Sequence, residues 1–217
     1  MSLIIAVRDG AKFIGEALQS VREQTCPPAE IIVVDDGSTD ETPEQVRQFS
    51  EVRYVRQAAL GFAQAKNYGV GLASKPYLAF LDSDDLWPPI KTELQLDTLS
   101  NAPELDFVYG LVVEFVGTSS QATARSAAAT PSRLLGSVMI RRDSLRKVGL
   151  FATDLTIGTA IEWWTRAEDL GLRGKCLPEL ALWRRIHETN MGRVARAPLR
   201  EYLKILHSVV NRRRASQ

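Results

Sequence analysis

The sequence predicts an α/β domain with a mostly parallel central sheet and helices on both faces. Short apolar, largely β-branched runs alternate with segments whose apolar residues recur at helical spacing, a pattern typical of repeated strand-helix-strand units. The chain has 217 residues, which is enough for one well-packed domain. Hydrophobic residues make up 45% and charged residues 24%, as in an ordinary globular protein.

Composition and charge exclude several classes of protein. Lys and Arg total 27 and Asp and Glu total 26, so the net charge of +1 gives no general attraction to nucleic acid. No apolar run approaches the ~20 residues that cross a bilayer, and the run 3–7 is too short for the core of a secretory signal. Cys26 and Cys176 provide neither a disulfide framework nor a zinc signature. We therefore expect a cytoplasmic protein.

The first half of the chain alternates strands with helices. Short apolar runs predict four strands, at 2–7, 30–34, 52–55 and 77–81. Apolar residues at helical spacing predict helices at 11–25 and 62–74. Another helix begins near Thr42, which fits a cap, with Pro43 at the first helical position and Gln45 completing a capping box.

The second half is less regular. Its predicted elements are a strand at 107–116, a surface loop at 121–132, a strand at 137–140, helices at 143–148 and 159–170, and an amphipathic terminal helix at 198–214. Gly149 and Gly171 are predicted to end the two inner helices. With no convincing linker, the whole chain is predicted to form one domain.

Two acidic clusters follow predicted strands. Asp35 and Asp36 come after the strand at 30–34, and the run 82–85 comes after the strand at 77–81. Ligands of parallel sheets collect outside the carboxyl ends of the strands, so all five carboxylates are expected at one crevice. A bound cation or several hydrogen-bond donors would relieve their repulsion. Since Mg²⁺ typically uses one or two carboxylates plus substrate phosphates, the residues predict a metal-assisted site for a phosphorylated ligand. Each cluster is also compatible with a simple turn or a solvated loop.

Four motifs in a fixed order carry a resemblance. They are VVDDGSTD at 33–40, AKNYGV at 65–70, FLDSDDLW at 80–87 and RLLGSVMIRR at 133–142. Together with the opening 2–25, they resemble the family 2 glycosyltransferases from Ser2 to about Asn190. The resemblance implies a single Rossmann-like GT-A domain that inverts the anomeric carbon of a sugar taken from a nucleotide-diphosphate donor. Residues of about 1–100 would bind the nucleotide, and about 101–190 would face the acceptor.

The resemblance also implies roles for individual residues around the donor. The residues expected to contact it are Ala6, Val7, Asp36, Lys66, Asp82 and Ser83. Asp36 would hydrogen-bond the nucleotide base, Asp82 would lie near the ribose or sugar, and Lys66 stands where the family usually has Arg.

A bound Mn²⁺ or Mg²⁺ is implied at the Asp-x-Asp motif. Asp84 would bind the ion, and His187 would approach the ion or the diphosphate. Arg184 and Arg185 would meet phosphate, which the guanidinium fork can bind bidentately, while Trp87 is placed to pack against a sugar or to join the core.

The family's usual catalytic base is absent at its expected position. Aligned on the helix at 159–170, the usual Glu-Asp pair becomes Thr159 and Ala160, and Ala160 cannot take a proton. Glu162 is the nearest carboxylate, but it lies about 200° around the helix and can instead pair with Arg166. The alternatives are Asp154, Asp169, a base from the acceptor, or a module that binds the nucleotide-sugar without efficient transfer.

The sequence also bears on a second class of enzyme and on the expected partners. A nucleotidyltransferase is disfavoured because the loop 8–12 is poor in glycine. The expected partners are a nucleotide-sugar donor and a glycan or lipid-linked acceptor, with no nucleic acid. The basic run 212–214 is compatible with a solvated helix end or with contact at the inner face of a membrane. Association into a homo-oligomer is left open.

Overall fold

The computed structural model describes residues 1–118, 128–155, 157–188, 190, 203, 205–207, 209, 210, 212 and 214. The strands are β1 (Ser2–Val7), β2 (Glu30–Asp35), β3 (Val52–Arg56), β4 (Tyr77–Phe80), β5 (Phe107–Phe115), β6 (Thr130–Pro131), β7 (Met139–Arg141) and β8 (Gly174–Arg185). The helices are α1 (Ile14–Arg22), α2 (Thr42–Arg47), α3 (Phe62–Leu72), α4 (Lys91–Asn101), α5 (Arg142–Val148) and α6 (Thr159–Asp169).

One sheet organises the described part of the chain, and the α/β prediction is confirmed. Its strand order is β3-β2-β1-β4-β7-β5-β6, with β8 also paired to β5. The strands β1 to β4 are parallel to their neighbours among themselves, as predicted. In the second half, β7 runs antiparallel to both β4 and β5, while β8 runs parallel to β5. The sheet is therefore mixed rather than parallel throughout.

Both faces of the sheet are covered, which explains the continuous apolar sequence of β1. Leu3 and Ile5 belong to one hydrophobic cluster with residues of α1, and Ile4 belongs to a second cluster with residues of α3 and α6. Gly69 of α3 lies so close to β1 that a Cβ there would be 2.5 Å from Ile4 Cγ2. A larger residue at this position would push α3 away from the sheet.

Several sequence predictions need correction. The capping box at the start of α2 is wrong: Glu41 is the cap position, and no side chain caps the helix. The hydroxyl of Thr42 instead bonds to Asp40 and accepts the N–H of Gly10, so it joins two loops. The predicted loop 121–132 lies mostly outside the described residues, and its end forms β6 rather than loop.

Two further elements, α4 and β8, were not predicted from the sequence. The terminal helix prediction at 198–214 falls partly outside the described residues, and the positions described from 203 to 214 are helical. Within the described residues, no helix is long and apolar enough to span a membrane.

Candidate active site

A cleft of about 640 Å³ opens at the carboxyl ends of β1 and β4. This is the edge of the sheet at which the sequence placed the ligand site. Of the predicted donor residues, Ala6, Lys66, Asp82 and Ser83 line the cleft. Of the predicted metal and phosphate residues, Asp84, His187 and Arg184 line it.

The two residues predicted to hold a metal ion lie side by side. The His187 Nε2 atom is 2.8 Å from Asp84 Oδ2. Asn190, to which the sequence analysis assigned no role, donates from Nδ2 to the same oxygen over 3.1 Å. The ring of Phe13 packs against the imidazole with 4.8 Å between centroids. Packing and hydrogen bonds therefore fix the orientation of His187 toward Asp84.

The donor set at Asp84 fits a divalent cation that is completed by its substrate. Within the described residues, no group of three or more His, Cys, Asp or Glu side chains forms a metal site by itself. Mg²⁺ typically uses one or two carboxylates together with substrate phosphates. Asp84 would supply one such carboxylate and His187 a nitrogen, so these residues fit a cation whose other ligands would come from a substrate.

A cation and a carboxylate of the cleft lining form an ion pair. The Lys66 ammonium lies 3.0 Å from Asp82 Oδ1, and the lysine side chain is only 14% exposed. Lys66 projects from α3, so the helix holds a positive charge beside the acidic loop. This pair is exposed on the Asp82 side, so its contribution to stability is small. The pair brings one positive and one negative charge to the cleft lining.

Asp85 is a buried member of the acidic loop. Its carboxylate accepts a hydrogen bond of 2.8 Å from the Arg185 N–H. Burial raises the pKa of Asp85 well above its usual value, and the charges of Asp84 and Asp82 raise it further. Asp85 thus anchors the acidic loop to β8 from within, while Asp82 and Asp84 reach the cleft.

The first acidic cluster is buried and lies outside the cleft lining. Asp35 and Asp36 are fully buried and are not part of the cleft lining. The Asp36 carboxylate accepts hydrogen bonds from Gln57 Nε2 (2.7 Å), Leu60 N (2.8 Å) and Gly61 N (2.9 Å). The expectation that five carboxylates gather at one crevice is thus wrong, because backbone and side-chain donors draw Asp35 and Asp36 into their own loops.

Three other predicted residues lie beneath the cleft surface. Trp87 is a core residue whose Nε1–H donates to the Gly136 carbonyl over 2.8 Å. Val7 is buried, and its carbonyl accepts the Asp36 N–H. The Arg185 side chain is 1% exposed. The structure therefore offers none of these three side chains to a ligand on the surface of the cleft.

The loop between β1 and α1 is joined to the loop before α2. The N–H groups of Asp9, Gly10 and Ala11 donate to the side chains of Ser38, Thr42 and Asp40, over 2.9, 2.8 and 3.0 Å. The backbone of Asp9 is in the left-handed region, with φ 52°. These long-range bonds, which local sequence patterns do not reveal, fix one wall of the cleft.

Comparison with known proteins decides the family. The family model described as Glycosyl transferase family 2 matches residues 2–157. The chain belongs to glycosyltransferase family 2. Its fold is the GT-A fold: the crystal structure of S. aureus TarS 1-349 in complex with UDP-GlcNAc superposes with a TM-score of 0.76 at 19% identity, over 96% of this chain and 64% of that chain.

Two curated relatives share sequence with this family 2 chain. Glycosyltransferase AglE of Haloferax volcanii is 31% identical over 189 residues, which are 79% of this chain and 62% of that protein. The Escherichia coli protein named UDP-Glc:alpha-D-GlcNAc-diphosphoundecaprenol beta-1,3-glucosyltransferase WfgD is 34% identical over 113 residues, 51% of this chain and 44% of that protein. This chain thus spans less than two thirds of each relative.

In this family 2 chain, Glu162 is engaged in ion pairs. Its carboxylate lies 3.0 Å from Arg166 and 3.2 Å from Arg212, and its side chain is 9% exposed. The pair with Arg166 is the one that helical spacing predicts. Gly158 and Thr159 at the start of α6 line the cleft, whereas Glu162 does not.

The alternative bases also lie away from the cleft. Asp169 contacts Arg212, with 3.4 Å between Oδ2 and Nε, and neither Asp154 nor Asp169 lines the cleft. Within the described residues, the carboxylates that do line it are Asp9, Asp82, Asp84 and Asp85. The described geometry therefore places no carboxylate at the position where the family carries its base.

Proposed function

We propose that this chain transfers a sugar from a nucleoside-diphosphate donor to an acceptor, with inversion and with the help of Mn²⁺ or Mg²⁺. The observation that carries the proposal is the contact of 2.8 Å between Asp84 and His187, two residues from distant parts of the sequence that meet in the cleft of a family 2 glycosyltransferase. Family membership supports an enzyme over a module that only binds the donor.

Several residues in and beside the cleft would have a physical task in this reaction. A bound divalent cation would supply positive charge where the departing diphosphate becomes more negative. Asp84 and His187 would hold that cation. Lys66 and Arg184 would add positive charge along the diphosphate. Asp36 orders the loop 57–61 and would shape the nucleotide end of the cleft, next to Ala6, while Asp82 and Ser83 would lie near the sugar.

The names of similar proteins indicate which donor and acceptor to test first. One solved structure of TarS contains UDP-GlcNAc, and WfgD is named for UDP-Glc and for an acceptor attached to diphosphoundecaprenol. We therefore propose a uridine-diphosphate sugar as donor and a glycan or lipid-linked sugar as acceptor.

Calorimetry with a set of nucleoside diphosphates tests the proposal directly. We expect one of UDP, GDP, dTDP, ADP or CDP to bind at least tenfold more tightly with Mn²⁺ than with EDTA, because the diphosphate completes the coordination that Asp84 and His187 begin. If Mn²⁺ strengthens binding of none of the five, the proposal is wrong. Binding without turnover of the matching nucleotide-sugar would instead favour the binding module.

The geometry of Glu162 leads to a prediction about the base. We expect Glu162→Gln to lower donor turnover by less than about tenfold, because loss of a general base typically costs 10²–10⁴-fold. The variant should melt at a lower temperature, since Arg166 and Arg212 lose a charged partner. Steady-state rates and thermal melting of the same preparation provide the measurement, and a loss of turnover beyond about 100-fold without a change in melting would restore Glu162 as the base.

Location and assembly stay predictions from the sequence. In the described positions of the terminal helix, the side chains of Leu203, Leu206 and Val210 are exposed, and this supports our proposal of contact with the inner face of a membrane. Sedimentation with anionic phospholipid vesicles would test that contact, with neutral vesicles as the control. Light scattering would test association of copies.

A further inference from the structure

Arg185 at the end of β8 is an arginine whose charge is removed from solvent. Its side chain is 1% exposed. The guanidinium lies between two aromatic rings, 4.8 Å from the centroid of Phe13 and 4.7 Å from that of Phe115. Burying a cation costs several kcal/mol unless it is well paired, so its partners explain why it is tolerated there.

The guanidinium bonds to three separate segments of the chain. Its Nε–H donates to the Asp84 carbonyl over 2.8 Å, and Nη2 donates to Glu16 Oε2 over 2.9 Å. Its Nη1 donates to the Gly117 carbonyl. One planar group therefore ties the acidic loop to α1 and to the segment after β5, because the fork of arginine presents several donors in fixed directions.

The backbone of Arg185 reaches the same loop. Its N–H donates to Asp85 Oδ1 over 2.8 Å, and its carbonyl accepts from Asn190 Nδ2 over 3.2 Å. Asn190 in turn donates to Asp84 Oδ2. Phe13, which stacks on the guanidinium, also packs against the imidazole of His187. Both residues expected to bind the cation are thus held through Arg185.

We propose that Arg185 is a positioning residue for the divalent-cation site, and that it does not bind phosphate itself. It fixes the backbone of Asp84 and, through Phe13 and Asn190, the ring of His187. The proposal rests on the function proposed above. Arg184, its neighbour, points to the other face of the strand and pairs with Glu114 over 2.7 Å, so the two arginines have different tasks.

The test compares Arg185→Lys and Arg185→Met with the wild type. Outer partners of metal ligands typically contribute 10- to 100-fold to metal affinity or activity. We therefore expect either variant to weaken Mn²⁺-dependent binding of UDP by about 10- to 100-fold in calorimetry. Binding of UDP in EDTA should change by less than about twofold. Compared with Arg185→Met, Arg185→Lys keeps the positive charge beside Glu16. We therefore expect Arg185→Lys to recover more of the wild-type melting temperature than of the wild-type gain in affinity caused by Mn²⁺.

Arg141 of β7 provides a matched control. It is a partly buried arginine that donates to the carbonyls of Leu99 (2.6 Å) and Leu105 (2.7 Å) and lies 5.4 Å from the Tyr77 ring centroid. It is not part of the cleft lining. We expect Arg141→Lys and Arg141→Met to lower the melting temperature while leaving the Mn²⁺-dependent affinity for UDP within about twofold of the wild type.

The outcomes separate the two proposals. If the wild type shows Mn²⁺-dependent binding of UDP and Arg185→Lys, measured well below its melting temperature, shows the same dependence, the positioning role is wrong. A loss of Mn²⁺ dependence in the Arg141 variants as well would also overturn it, because affinity would then follow stability alone. If Arg185→Met does not fold, the Mn²⁺-dependent binding of UDP by Arg185→Lys alone tests the positioning role. A wild type without any Mn²⁺-dependent binding of a nucleoside diphosphate instead overturns the proposed function.

Discussion

Replacing Asp84 with alanine is expected to lower sugar transfer by about 10²- to 10³-fold and to abolish the effect of Mn²⁺ on nucleotide binding. Asp84 lines the cleft and contacts His187, with 2.8 Å between Oδ2 and Nε2. Its loss would leave the imidazole as the only side chain of the pair able to hold the ion. Donor hydrolysis and calorimetry with and without Mn²⁺ measure the two effects.

The Asp84 variant should remain folded. Asp84 lies at the cleft, and its side chain is 24% exposed. Alanine removes its hydrogen bonds with His187 and Asn190, but it also removes one of the neighbouring negative charges of the loop. We therefore expect a melting temperature close to that of the wild type. Asp97→Ala is a suitable control, because Asp97 is exposed on α4 and is not part of the cleft lining. Full turnover by Asp84→Ala would contradict the proposed site.

Lys91→Met is expected to stabilise the protein by about 1–3 kcal/mol near pH 7. The ammonium of Lys91 is fully buried, 2.8 Å from Gln95 Oε1 and 4.0 Å from the centroid of the Trp87 ring. In the described part of the chain, no carboxylate forms an ion pair with it. Methionine fills similar space without a charge that must leave water.

The same substitution should change how stability depends on pH. Burial lowers the pKa of Lys91 well below its usual value, whereas the unfolded chain keeps a value of about 10.4. Between these two values the unfolded state binds more protons, so wild-type stability gains a contribution that rises with pH. Urea unfolding from pH 6 to 10 should show a shallower rise for Lys91→Met. The exposed Lys147→Met is the control, and identical slopes for Lys91→Met and wild type would refute the prediction.

The elements that the sequence predicted are those whose buried faces are apolar. The strands β1, β2 and β4 are continuous apolar runs, and the loops after them carry the aspartates. Helix α4 was missed because Lys91, Thr92 and Gln95 are among its buried residues, so no apolar stripe marks it. Gln95 donates to the Ser137 carbonyl and Thr92 to the Cys26 carbonyl. Such polar packing depends on partners that are distant in sequence.

Part of the cleft lining could be predicted from the sequence, whereas the separate roles of Arg184 and Arg185 could not. The Asp84 and His187 pairing follows from motifs that stand in family order. The sequence alone does not distinguish Arg184 from Arg185, but the side chains of adjacent strand residues face opposite sides of a sheet. Assigning β8 would therefore have separated an exposed arginine from a buried one. The hydrogen bonding of the buried Asp36 carboxylate, by contrast, could not be predicted from local sequence, since its three donors lie 21 to 25 residues away.

The contact between Asp84 and His187 spans 103 positions of the chain, and this has a consequence for biosynthesis. Domains generally fold from the N-terminus as the ribosome extends them. The parallel strands β1 to β4 can assemble early, but the imidazole arrives only after β8 has been made and has paired with β5. A nascent chain halted before Gly174 would carry the acidic loop without the imidazole and the guanidinium that contact Asp84, so the proposed cation site would still be incomplete.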